Sequence, residues 1–152
     1  MAVSNKKNDG TIVVDGDNHI AGRLSSYTAK SLLEGNRVVI LNAERVLISG
    51  KKKSIIDEEL KKLEISSIIN PKYGPFHPRR PDTILSKMIR GMIPRRKPKG
   101  IEAMKRLRVY IGEPENFKLI NKVTFEKALV KKPLPFYLPL GEIAKRLGWK
   151  GV

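Results

Sequence analysis

The sequence predicts an α/β fold, and three consecutive features predict it. Thr11 to Asp15 is a β-branched run that ends in the turn-forming residues Asp15-Gly16-Asp17-Asn18. Behind it, from about Arg23, Leu24, Tyr27, Thr28 and Leu32 recur along one side of a helix that Gly35 stops. Val38 to Leu41 is then a continuous apolar run of the kind buried on both faces. Strand, helix and apolar strand joined by short connections form a βαβ unit with parallel strands and a right-handed crossover.

The remaining elements follow in order. Val46-Leu47-Ile48 is a third short apolar run. Ile56, Leu60 and Leu63 then recur at helical spacing with Asp57/Lys61 and Glu58/Lys62 as i,i+4 pairs, which predicts a surface helix with one buried stripe. Residues 70–81 hold four prolines and a glycine, so they form a loop. Asp82 is the expected N-cap of a helix whose apolar arc is Ile84, Leu85, Met88, Ile89 and Met92, with Ser86, Lys87 and Arg90 facing away. The stretch 94–100 breaks that helix, and a short helix over Ile101 to Arg106 leads into a strand from Leu107 to Ile111. The tail is proline-rich from Lys131 to Leu140 and closes with a helical segment, Glu142 to Leu147. This divides the chain into a polar N-terminal tail (1–10), one α/β domain (11–130) with a basic insertion at 70–108, and a C-terminal extension (131–152).

Composition narrows the function. The chain has 152 residues, 40% of them apolar, enough for one real core. It has no cysteine, which excludes disulfides and thiolate metal sites, and its two histidines exclude a histidine-rich one. Met1 to Gly10 lacks the apolar stretch of a signal peptide, and the apolar runs elsewhere are too short to span a bilayer. The net charge is +16, which no isolated domain needs for folding and which a polyanionic partner explains. Residues 71–108 hold 12 basic and 2 acidic side chains, against 11 and 9 in residues 1–70. The excess therefore sits in the middle of the chain.

Within that region Arg95, Arg96 and Lys97 lie between prolines with Lys99 close behind, and four cations so close repel one another unless an anion intervenes. In the preceding loop Tyr73, Phe76 and His77 interleave with Lys72, Arg79 and Arg80, a mixture suited to stacking bases and gripping phosphates. Phe76 on its own serves equally well to pin the loop to the core. Lys51, Lys52 and Lys53 stand at the start of the Ile56 helix, where a phosphate would satisfy both dipole and lysines. The alternative is that Ser54 caps that helix with Asp57 and the lysines hang in water.

Catalytic motifs are missing. Gly50-Lys51 lacks the rest of a phosphate-binding loop, no G-x-G-x-x-G occurs, and no serine and histidine have a nucleophile context. Asp15, Asp17 and His19 hold candidate metal-binding groups, but Asp15-Gly16-Asp17 is first a tight turn, and Ile20 stands where a calcium loop needs glycine. The rival readings are an α/β enzyme acting on a nucleotide or nucleic acid through Asp15 and Asp17, and a module that binds an acidic protein.

Four segments add a resemblance: Val14-Asp15 through Ala21-Gly22-Arg23-Leu24; Leu41-Asn42-Ala43-Glu44 with Ser49-Gly50-Lys51; Arg90-Gly91-Met92-Ile93-Pro94; and Lys105-Arg106-Leu107-Arg108-Val109-Tyr110 with Gly112. In this order they resemble the L-thirteen family of large-subunit ribosomal proteins. Gly74-Pro75-Phe76-His77 to Pro81 and Leu140-Gly141-Glu142-Ile143-Ala144 to Gly148-Trp149-Lys150 resemble its archaeal and eukaryotic branch. The resemblance implies a three-layer α/β/α domain around a small parallel sheet. It also implies a structural role on large-subunit ribosomal RNA (rRNA), with neighbouring ribosomal proteins as further partners, in the cytoplasmic ribosome. No catalysis, cofactor, metal or small-molecule substrate is implied. By position it assigns Lys87, Arg90, Arg95, Arg96, Lys97, Lys105 and Arg106 as rRNA contacts; Gly91 and Gly100 would serve as backbone pivots there, and Met88 and Met92, on the apolar arc, are assigned to packing.

Overall fold

β1 (Thr11–Asp15) and β2 (Arg37–Leu41) pair in parallel with Thr11 opposite Arg37 and Asp15 opposite Leu41, as a βαβ unit requires. These strands belong to a computed structural model that describes residues 10–131 and 133–151, so residues 1–9 of the expected N-terminal tail lie outside it. β4 (Leu107–Val109) joins the other edge of β2, also parallel, giving the order β1-β2-β4. β2 is central because its residues after Arg37 are apolar on both faces.

Alternation along the strands separates two apolar layers. Val14, Val38, Ile40 and Leu107 face the helices, while Val13, Val39 and Leu41 turn to the opposite side. α1 (Ala21–Leu33) and α3 (Pro81–Gly91) pack on each other and supply the first layer, α1 through Leu24 and Leu32 and α3 through Ile84, Leu85 and Ile89. The opposite layer is thin. Tyr110, Phe117 and Ile120 cover it, from a segment whose helical content is one 3-10 turn, Glu115–Phe117.

α1 stops where the sequence requires. Gly35 takes φ +104°, and the N–H groups of Gly35 and Asn36 satisfy the carbonyls of Leu32 and Ser31. The third apolar run becomes β3 (Leu47–Ser49), which pairs antiparallel with β5 (Tyr137–Pro139) in a separate two-stranded sheet. α5 (Leu140–Arg146) follows directly, and Leu138, Leu140, Ile143, Ala144 and Leu147 enter the main core. The C-terminal residues therefore complete the domain's interior.

Several boundaries differ from the sequence expectation. α2 (Lys52–Glu64) begins with Lys51 as its N-cap, so Ser54 and Asp57 form no cap, and its half-buried stripe is Ile55, Ile56 and Leu63, with Leu60 40% exposed. α3 starts on Pro81, whose fixed φ suits a first helical position, and this moves Asp82 into the first turn. Met88 packs on the core, whereas Met92 is exposed and its sulfur accepts a hydrogen bond from Ser26 at 3.4 Å. α4 (Pro98–Lys105) likewise starts on a proline, three residues before Ile101. Gly100 is required by close approach, since a Cβ there would lie 2.2 Å from the Pro94 carbonyl oxygen. Gly91 has open space around it and no left-handed φ, so nothing in the structure makes it a pivot.

One buried polar side chain fastens the long segment after β4. His19 is 1% exposed; its Nδ1–H donates to the Asp17 carbonyl at 2.8 Å and its Nε2 accepts from the Phe125 N–H at 3.2 Å. Val123 N–H to Val13 and Ile20 N–H to Ala128 continue the attachment. His19→Ala should lower stability by about 2–4 kcal/mol, because it opens a cavity and strands a buried donor. A urea denaturation midpoint unchanged from wild type would contradict this role.

Candidate nucleic-acid interface

α3 carries the centre of the basic surface. Its buried side leaves Lys87 and Arg90 exposed on the other. The loop before it is bonded to the domain at two points: His77 Nε2–H donates to the Ile65 carbonyl at the end of α2 (2.7 Å), and Lys87 Nζ donates to the Phe76 carbonyl (3.0 Å). After α3, the turn at Pro94 closes through the Lys97 N–H and presents Arg95, Arg96 and Lys97 to solvent.

The result is an open groove of about 590 Å³ lined by Phe76, Pro78, Ser86, Lys87, Arg90 and Arg95, with Met104 of α4 at its side. Thus Phe76 and Pro78 of the first predicted basic loop, Arg95 of the second and the two exposed cations of the helix between them share one surface. Phe76 is 78% exposed, which rules out the reading in which it pins the loop to the core; Tyr73 is 81% exposed. Pattern alone could not decide Phe76, because an aromatic among prolines serves either end.

Other sequence candidates lie apart from the groove. Lys51, Lys52 and Lys53 sit at the start of α2, and Lys52 is ion-paired with Glu142. Lys72 belongs to a 3-10 turn whose backbone N–H is held by Asn70 Oδ1 at 3.0 Å. Arg79 is exposed near Gly148, and Arg80 is held by Asp82 through two bonds of 3.2 and 3.1 Å. Lys99 lines a different hollow, beside Lys30, Glu34 and Met92. Lys105 and Arg106 border another, in which Arg37 and Arg108, which the sequence pattern does not single out, also stand. Among the described residues Lys52 and Arg80 are the predicted cations that have an ion-pair partner.

At the opposite end of the strands the groups that suggested a nucleotide enzyme are occupied with one another. Asp15 Oδ1 accepts from Asn42 Nδ2 at 2.9 Å and from the Asp17 N–H at 3.1 Å, and Lys122 Nζ lies 3.5 Å from Asp15 Oδ2 and 2.8 Å from Glu113 Oε1. Asn42 takes the left-handed conformation, φ +53°, to reach that position. This cluster ties the 113–123 segment to the ends of β1 and β2. Burial by itself would raise the Asp15 carboxyl, but the Asn42 and Asp17 hydrogen bonds and Lys122 outweigh it and hold its pKa below the ordinary 3.8.

A carboxyl whose pKa is depressed on folding stabilises the native state above its unfolded pKa and loses that contribution as pH falls through the native one. Asp15→Asn should therefore cost on the order of 1 kcal/mol at neutral pH. The difference from wild type should shrink as pH falls below the ordinary carboxylate value and close once Asp15 is protonated in the native state too. Thermal unfolding across pH checks this, and a constant difference at every pH would contradict it.

A family model described as Ribosomal protein L13 matches residues 9–116. The chain is 43% identical over 139 residues to the large ribosomal subunit protein uL13 of Methanocaldococcus jannaschii, covering 91% of this chain and 98% of that protein. It is 40% identical over 141 residues to the protein of the same name from Methanopyrus kandleri (91% and 87% covered). Against that of Picrophilus torridus it is 43% identical over 137 residues (90% and 96% covered).

Proposed function

The chain belongs to the ribosomal protein L13 family, and from that premise we propose that it binds and stabilises large-subunit rRNA through the basic surface centred on α3. It is a structural, non-enzymatic component of the large ribosomal subunit in the cytoplasm. The observation that carries the finer reading is the groove: Lys87, Arg90 and Arg95 surround it with no acidic residue among its lining, beside the exposed ring of Phe76. Cations grip phosphates and set the protein's register on the RNA, while exposed rings stack on unpaired bases. Recognition is thus mainly of backbone and shape. Arg96 and Lys97 extend the cationic edge from the same turn, and the α/β core, completed by β5 and α5, is the platform. Neighbouring large-subunit proteins are the further partners.

Two variants separate charge from stacking. Lys87→Ala/Arg90→Ala/Arg95→Ala should weaken binding of the full chain to large-subunit rRNA fragments. The slope of log affinity against log salt should also flatten by about 2, or roughly 0.7 for each phosphate no longer neutralised. Phe76→Ala should lower affinity at least about fivefold, the lower end for removal of one base stack, and leave the slope unchanged. A folded triple variant with wild-type affinity and slope would overturn the reading.

A further inference from the structure

A second group of cations lies on the sheet face turned away from α1 and α3. Arg37 opens β2 and Arg108 lies in β4 opposite Val39, so Arg37, Val39 and Arg108 project from one face. Lys105 and Arg106, at the end of α4, join them around a hollow of about 420 Å³ whose floor includes Val39 and Phe117. No carboxylate lines this hollow, and among the described residues none of the four cations is within ion-pair distance of an acid. It shares no lining residue with the α3 groove.

Two of the four cationic side chains are already held. Arg108 Nη1 donates to the carbonyls of Lys105 (3.1 Å) and Leu107 (2.8 Å), and Arg106 Nη2 donates to the Leu32 carbonyl at the end of α1 (2.9 Å). The Arg106 bond is a structural need of the fold, for it satisfies a helix-terminal carbonyl. Arg37, Lys105 and Arg108 have no such need; they are exposed at the surface with their charges converging. Mutual repulsion at the hollow is relieved when an anion enters, and pre-held side chains lose less freedom when it does. The apolar ring of Phe117, which lies 5.7 Å from Tyr110, gives the sugar or base next to a phosphate a surface to rest on.

We propose that the hollow between Arg37, Lys105, Arg106 and Arg108 is a second phosphate-binding site, which grips a segment of large-subunit rRNA backbone separate from the one in the α3 groove. The proposal rests on the rRNA-binding reading and adds to it a second point of attachment on the opposite face of the sheet. An acidic protein segment is the competing occupant, and the four cations alone would accept either. The Phe117 surface beside them decides for a nucleotide.

The test uses the full chain with Arg37→Gln/Arg108→Gln, leaving Arg106 in place to hold α1. Binding to large-subunit rRNA fragments is measured across a salt series, with hydroxyl-radical footprinting of the RNA, for wild type, this variant, the groove variant and their combination. Thermal unfolding confirms that each is folded, and Arg108→Gln alone stands in if the double variant is not. The hollow variant should bind roughly tenfold or more weakly at about 0.1 M salt, with the slope flattened by about 1.4. It should lose protections that the groove variant keeps, and the two reductions in affinity should multiply in the combination. Wild-type slope and footprint in the hollow variant, with both altered in the groove variant, would overturn the second site and leave rRNA binding standing. Absence of salt-dependent rRNA binding by the wild-type chain would overturn both. Poly-glutamate that binds wild type but not the hollow variant, with rRNA binding the same in both, would assign the hollow to an acidic protein instead.

Discussion

Burial of one side of α3 against α1 is the contact on which the basic surface depends. Residues 71–108 carry 12 cations and 2 acids, a composition that in isolation favours an extended chain. Ile84, Leu85 and Ile89 are all at least nine-tenths buried, and each such side chain is worth about 1.5–3 kcal/mol. Repulsion between exposed cations is damped beyond about 10 Å at 0.1 M salt, so the apolar term prevails. With that side fixed, Lys87 and Arg90 have a defined position. The flanking loops are then placed by the short bonds His77 makes to Ile65 and Lys87 makes to Phe76.

The distribution of acids has the same consequence from the other direction. Glu58 and Glu59 pair with Lys62, Glu142 with Lys52, and Asp15 and Glu113 with Lys122. The more exposed pairs, those of Lys52 and Lys62, contribute only about 0–1 kcal/mol each and add little to stability, whereas the Lys122 cluster fastens the 113–123 segment. Their carboxylates are thereby engaged outside the groove and the hollow. Asp82 neutralises Arg80, and the cations around the groove and the hollow are left without acidic partners.

The βαβ unit was legible because β1, α1 and β2 are contiguous, each with its own periodicity and with Gly35 as a stop. The β3–β5 pairing was not, because it joins three-residue strands some ninety positions apart, too short to show alternation. Where two signals competed at a helix start, the structure decided: proline outranked aspartate at α3, and of the two readings left open at α2 the lysines, not Ser54, stand at the start. In the site, Lys87, Arg90 and Arg95 could be found by charge density, since they are close in sequence. Arg37 could not, because it is a single cation before an apolar strand, and only the register of β2 against β4 puts it on one face with Arg108. Lys99 is the converse: in the first turn of α4, it follows the helix round to the α1 side, away from Arg95.

A parallel sheet with helices on one face and a thin cover on the other has two surfaces that cannot move independently. The α3 groove is built on the helical layer, and the Arg37–Arg108 hollow on the reverse of the strands. Close packing of Val14, Val38 and Ile40 between them transmits position without slack, since cores of this kind resist deformation. On the proposed reading, an RNA segment held on each surface would be kept at a set spacing and orientation from the other. Such a function needs no titrating group, bound metal or moving lid; it needs a rigid spacer with unpaired cations on both sides. That is consistent with the Asp15 end of the strands being given over to internal hydrogen bonds, where folds of this class that act on small molecules keep their ligand site open.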